Sequence, residues 1–231
     1  AGLISHWKLD DAVGTDPIVD SVSGHNAAQT GSPVLGIVGK DGTAGSFPGG
    51  NNYFLTDPSA DFSQTEFTFS FWFNPLHSGG GYYNVALSNR TGENGFIVYQ
   101  RDNGIQYWLK DPGGSWQGQT VAIQRGVDQW YHVVGSRDAS GTKKFYVTLE
   151  SEASATPDGT MSGTGAVMAA APQMGIGVRG DGGLPLNGGY LDDVQFYDVA
   201  LSDSDVNWLF QHPGQSIPPT WDGSNDNWST A

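Results

Sequence analysis

Two strand-like runs, 130–136 and 144–148, flank the polar turn Arg137-Asp138-Ala139-Ser140-Gly141-Thr142. Runs of this kind on either side of a short glycine-bearing turn specify a β-hairpin. Upstream, 66–74 alternates more strictly still: Phe67, Phe69, Phe71 and Phe73 fall on one face, and Thr68, Ser70, Trp72 and Asn74 on the other. A period of two sends successive side chains to opposite sides of a strand. A chain carrying these segments is committed to antiparallel sheet packed on a core.

Other strands follow from the same rule. Segment 3–9 is a first strand, with Leu3, Ser5, Trp7 and Leu9 on the core side and Ile4, His6 and Lys8 opposite. Segments 53–55, 83–88, 95–101, 105–110, 173–178 and 190–197 read as further strands. Asn103-Gly104 favours a primed hairpin turn between 95–101 and 105–110. One helix of a turn or two is expected over 202–210, capped by Ser202, with Asp203 and Asp205 in its first turn. Val206, Leu209 and Phe210 form its apolar edge. Segments 10–16 and 19–27 read as loops, and 150–171 has no clear assignment.

With 231 residues the chain can bury a substantial core without staples. It has no cysteine, so neither a disulfide framework nor a thiolate metal site is available. Its 34 glycines and eight tryptophans suit short strands joined by tight turns. A net charge of −14 argues against nucleic acid and anionic membranes as partners. It also disfavours strongly anionic glycans, unless Arg and Lys cluster locally or a cation bridges. No apolar run approaches the ~20 residues that cross a bilayer. The opening Ala1-Gly2-Leu3-Ile4-Ser5-His6-Trp7 is already strand-like and is read as the start of a mature or excised fragment, which is consistent with export without showing it. Residues 1–212 are read as one domain and 213–231 as a proline-bearing linker into a further module.

Several phrases carry a family resemblance. They are the Gly-Leu-x-x-x-Trp-x-Leu-Asp opening at 2–10, the Asp- and Gly-containing loop at 20–27, the Phe-rich strand at 67–73, Trp130-Tyr131-His132-Val133-Val134 with Lys144-Phe145-Tyr146-Val147, and the closing strand at 189–197 with Ala200-Leu201-Ser202 after it. In that order they resemble the laminin G-like, concanavalin A-like lectin superfamily. The resemblance implies an all-β jelly-roll sandwich of two antiparallel sheets with one short C-terminal helix, working outside the cell or at its surface. Val147 leads to Thr148-Leu149-Glu150 where the family usually turns on Asp-Gly, which is why 150–171 is hard to place. The last dozen residues resemble the opening of β-repeats in large bacterial surface proteins of autotransporter type; the alternative is a loose tail.

Related sandwiches hold a structural calcium between an early loop and the final strand. The resemblance carries that site to Asp20, the carbonyl of Gly24, and Asp192, with Asp193 as the alternate because alternation turns only one of the pair inward. A hydrogen-bonded surface turn beside one buried aspartate is the competing explanation.

For carbohydrate, the expected binders are aromatic rings on loops and exposed strand faces. Tyr82, Tyr83, Trp108 and Trp116 lie in or near glycine-rich turns, Trp108 shares its face with Gln106 and Lys110, and Arg90 can add a hydrogen-bonding fork. Flat rings stack on pyranose faces while polar side chains satisfy hydroxyls. Trp72, Trp130 and Trp208 are assigned to packing, and His132 to a satisfied core or sheet-face position rather than a ligand. A Glu-x-Asp-x-x-Glu strand motif, a Gly-x-Ser-x-Gly elbow and a phosphate loop are absent, and Glu66, Glu93, Glu150 and Glu152 are the only glutamates. The expected function is non-catalytic recognition of a polysaccharide or other glycan. The rivals are an adhesive module that self-associates or binds neighbouring modules, and a lyase or hydrolase with an unfamiliar site.

Overall fold

The computed structural model describes residues 2–76, 83–102, 104–124, 128–162 and 166–218. In chain order the strands are β1 (Leu3–Trp7), β2 (Ala27–Thr30), β3 (Val34–Val38), β4 (Thr43–Pro48), β5 (Tyr53–Thr56), β6 (Phe67–Asn74), β7 (Asn84–Ser88) and β8 (Phe96–Arg101). They continue as β9 (Gly104–Lys110), β10 (Trp116–Ala122), β11 (Tyr131–Arg137), β12 (Lys143–Leu149), β13 (Gly159–Met161), β14 (Gly175–Ile176) and β15 (Asn187–Tyr197), before the helix α1 (Asp203–Gln211). Every strand pairing is antiparallel.

The strands form two sheets. An eight-stranded sheet runs β13-β12-β11-β6-β15-β4-β3, with β1 also on β15, and a seven-stranded sheet runs β10-β9-β8-β7-β14-β5-β2. Between them lies the main core, built on Phe67, Phe69, Phe71 and Phe73 of β6 and met by Phe96, Val98, Ile105, Tyr107 and Leu109 of the other sheet. The hairpin expected around residue 140 is β11–β12, with Val133 opposite Val147.

A second apolar cluster lies outside the eight-stranded sheet. Trp72, Val134, Tyr146 and Tyr197 project there and are covered by Leu201, Val206, Leu209 and Phe210 of α1 and its approach. Ser202 caps the helix, and its partner Asp205 closes a capping box. The helix runs nine residues, longer than a turn or two, because packing on Trp72 holds it.

Three readings need correction. First, the alternation in β1 breaks at a bulge between Leu3 and Ser5. Ile4 therefore packs on the main core and Leu3 on the outer cluster. Second, β2, β3, β4, β10 and β13 were not anticipated. Third, only Gly175–Ile176 of the expected strand 173–178 is strand.

Candidate functional site

On the outer face of the seven-stranded sheet, β8 presents Ile97, Tyr99 and Arg101, while Phe96 and Val98 enter the core. On β9, Ile105, Tyr107 and Leu109 are buried in the core, and Gln106 and Trp108 face outward as the alternation requires. Cross-strand register then sets the layout: Ile97 stands opposite Trp108, and Tyr99 opposite Gln106. On the far side, Gly118 of β10 stands opposite Trp108 and Trp116 opposite Lys110.

These side chains line a cavity of about 450 Å³ with Tyr83, Arg90 and Leu184. That volume suits a small ligand. Five of the six residues expected to touch sugar (Tyr83, Arg90, Gln106, Trp108 and Trp116) thus share one pocket. The sixth, Tyr82, lies outside the described residues. Sequence reasoning missed Ile97, Tyr99, Arg101 and Leu184; the first three were available from the alternation in 95–101.

The wall is pre-organised by contacts among its own members. The Arg90 guanidinium lies 4.4 Å from the Trp116 ring centroid, and that of Arg101 lies 4.5 Å from Tyr83. Arg90 is further fixed by Nε donating to the Gly92 carbonyl at 2.8 Å and Nη2 to Glu93 at 3.0 Å. Its loop is tied down by Asn89, which donates to Phe62 O and accepts from Phe96 N, both at 2.8 Å. Arg101 Nη1 donates to the Tyr83 hydroxyl at 2.6 Å, and the Tyr83 and Tyr99 rings meet edge to face at 4.9 Å. Burial pushes the Tyr99 hydroxyl up to about 12, so it stays protonated at neutral pH.

Trp108 has its own seat. Its Nε1 donates to Gln106 Oε1 at 3.0 Å. A Cβ built on Gly118 would collide with Cδ2, Cε3 and Cε2 of the indole together. The ring therefore lies flat across the glycine, with one face covered by β10.

The calcium residues do not assemble in this way. Asp20 accepts from four backbone amides: His6 and Val22 on Oδ1, Ser23 and His25 on Oδ2. Gly24, at φ +78°, lets the loop close around that carboxylate. Asp193 accepts from His6 Nε2 at 2.6 Å, Gln195 Nε2 at 2.8 Å and Gly214 N at 2.8 Å.

The expectation that only one of Asp192 and Asp193 turns inward also fails. A bulge between Asp192 and Gln195 sets both Leu191 and Val194 on the core. Both aspartates are buried, and Asp193 takes φ +50°. Asp192 Oδ2 accepts from Lys40 N and Asp41 N, a different neighbourhood from that of Asp20. Its Oδ1 is buried without a hydrogen-bond partner, and desolvation pushes the carboxyl up to about 8. Among the described residues no group of three or more His, Asp or Glu side chains converges to hold a metal. These residues fit a carboxylate–amide network that joins the first strand to the last, and they do not fit a calcium cage.

The other sequence assignments are placed as follows. Trp72 and His132 are each 1 % exposed under α1, where Trp72 stacks on Phe210 and the His132 ring lies tilted against it. Burial pushes the His132 ring down to about 3, and its Nε2 meets Ser70 Oγ at 2.8 Å. Glu150 accepts from Lys40 Nζ and Trp130 N, and Glu152 from Leu149 N. Residues 213–218 begin by docking on the domain, through Gly214 N to Asp193 and Gln195 Nε2 to Gln215 O. Residues 219–231, with the repeat-like phrase, lie outside the described residues.

A family model described as the concanavalin A-like lectin/glucanases superfamily matches residues 48–207. No curated protein sequence matches the chain. Among solved structures, the botulinum neurotoxin serotype D binding domain superposes with a TM-score of 0.68 at 14 % identity, covering 91 % of this chain and 50 % of that one. The serotype D ligand-binding domain in complex with N-acetylneuraminic acid gives 0.66 at 12 % identity, covering 92 % and 51 %. The binding domain of Paraclostridial Mosquitocidal Protein 1 gives 0.65 at 16 % identity, covering 90 % and 52 %. This chain thus spans about half the length of those structures, and at such identities the likeness is one of fold.

Proposed function

This chain belongs to the concanavalin A-like lectin/glucanase superfamily, and on that premise we propose that the pocket on the seven-stranded sheet is a carbohydrate-recognition site in a non-catalytic module that works outside the cell. The observation that carries this reading is the convergence of Tyr83, Arg90, Gln106, Trp108 and Trp116 on one cavity. Flat aromatic surface beside fixed polar groups is what a pyranose needs, with its apolar ring faces and hydroxyl rim. The N-acetylneuraminic acid complex of one domain with this fold supports the same ligand class.

Recognition without turnover is supported by the lining, which contains no carboxylate among the described residues. Glycoside hydrolysis ordinarily places two carboxyl groups about 5–10 Å apart across the scissile bond. Here Glu150 and Glu152 serve the backbone at the end of β12. Among the described residues, no helix is long and apolar enough to cross a membrane.

The test is a glycan array probed with the wild-type chain and with Trp108→Ala. Binding that disappears in the variant while folding is retained supports the reading. Glycan binding that survives in both Trp108→Ala and Trp116→Ala overturns the location. New reducing ends, or unsaturated uronate absorbance on incubation with polysaccharide, overturn the non-catalytic assignment.

A second reading has one observation in its favour. The edge strand β3 exposes Val34 and Val38, the latter 86 % accessible, beside the exposed Val13. Such an edge suits strand-to-strand assembly. Concentration-dependent sedimentation that a Val38→Lys change abolishes would favour it.

A further inference from the structure

The charged groups of this pocket are of one sign: Arg90 and Arg101 line it, and no carboxylate does among the described residues. Gln106 Oε1 accepts from the Trp108 indole N–H and keeps a second lone pair beside the donating amide NH₂. Tyr83 has its hydroxyl oxygen engaged by Arg101, which leaves its O–H as a donor. Arg90 and Arg101 have only N–H groups to offer, five on each guanidinium, and part of each set is already used internally. Glu93 and Asp102 pair with these arginines but do not line the cavity.

A neutral sugar hydroxyl both donates and accepts, so a site suited to it offers carboxylate, amide or carbonyl oxygens as well as donors. This pocket adds two cationic guanidinium groups, with no carboxylate among its described lining, in a chain whose net charge is −14. The exception that composition left open, a local cluster of basic side chains, is therefore met here.

Resting on the carbohydrate reading above, we infer that the pocket selects a carboxylated sugar residue, of uronate or sialate type, with the Arg90 and Arg101 guanidinium groups offering the cationic partners for the carboxylate and the open face of Trp108 carrying the ring. A planar guanidinium pairs with a carboxylate through two parallel N–H···O bonds. The two arginines are held ready. Each lies over an aromatic ring, so little side-chain freedom is lost when the ligand arrives. With the other indole face on Gly118, Trp108 presents a single platform and sets the plane of the bound ring.

The experiment uses matched pairs that differ in charge: galacturonate trisaccharide against its methyl ester, and sialyllactose against lactose, with sulfated lactose as a further arm. Calorimetric titration of the wild-type chain should give at least one acid bound about tenfold or more tightly than its neutral partner, the scale of one charge-assisted pair. That preference should weaken as salt is raised. Arg90→Gln with Arg101→Gln should remove the preference while thermal melting shows a folded domain, and Arg101→Lys should keep the salt dependence but lose most of the affinity. Equal or tighter binding of the neutral partners overturns the inference and leaves the carbohydrate reading standing. Tighter binding of sulfated than of carboxylated lactose overturns the carboxylate assignment. If these five probes fail, a neutral glycan bound on the array through Trp108 sinks this inference alone, whereas no glycan bound at all sinks both.

Discussion

The outer faces of the two sheets carry the same kinds of residue and meet opposite fates. On the eight-stranded sheet, Trp72, Tyr146 and Tyr197 lie under α1 and are at most 1 % exposed. On the seven-stranded sheet, Tyr83, Trp108 and Trp116 stay partly open around a cavity. Strand alternation alone cannot separate Trp72 from Trp108, since each stands on the more polar side of its strand. The difference comes from the chain after β15, which folds Ser202 and its helix back over one face only. An aromatic on a sheet's outer face is therefore structural or available according to what covers it.

The covered face should respond to mutation through stability. Trp72→Ala removes a fully buried indole stacked on Phe210, and denaturant unfolding should show a loss of about 3–5 kcal/mol. Residual glycan binding should be unchanged at temperatures where the variant remains folded. Trp108→Ala should do the reverse, abolishing binding at a far smaller cost in unfolding free energy. Similar losses of stability from the two changes would break the contrast.

Acid should also act on the covered face. His132 is held neutral by burial, with its ring at about 3 in the fold against an ordinary 6.5. A folded-state value below the unfolded one means the unfolded chain binds the extra proton. The contribution is therefore complete above pH 6.5 and is lost as pH falls toward 3, at up to about 1.4 kcal/mol per pH unit. His132→Asn should flatten that part of the stability-against-pH curve, as urea melts at several pH values would reveal. An unaltered slope would refute the assignment.

On the open face, Gly118→Ala should push the Trp108 indole off β10 and weaken glycan affinity about tenfold, while the melting temperature moves little. Unaltered affinity would show that the ring does not need its glycine seat. The smallest expected effect concerns the seam between first and last strands. Excess chelator should leave the melting temperature where it was, because Asp20 and Asp193 are satisfied by amide, imidazole and side-chain amide donors. A drop on chelation would restore the calcium expectation.

The sequence made some of this architecture visible and hid other parts for physical reasons. The Phe67–Phe73 stripe and the Ile105, Tyr107, Leu109 set are readable because one face of each strand is apolar and buried. β10 is not readable: Trp116-Gln-Gly-Gln-Thr-Val-Ala turns Gln117 toward Lys143 at the sheet edge, so polar residues occupy both faces. The bulges in β1 and β15 each shift the alternation by one residue, which composition does not announce. At Asp20, an Asp followed by a tight glycine turn is as consistent with a ring of backbone amides as with a cation, and only the fold separates the two. The pocket-lining residues were legible one by one, from ring type and alternation; their convergence depended on the pairing of β9 with both β8 and β10.

The central claim is that ligand meets the uncovered face and spares the covered one. Nuclear magnetic resonance of the indole N–H groups, assigned by single Trp→Phe changes and followed while the best-bound array glycan is titrated in, tests it directly. The Trp108 and Trp116 signals should shift with the Trp72 signal unmoved. A perturbed Trp72, or a saturated protein in which neither Trp108 nor Trp116 responds, would contradict it.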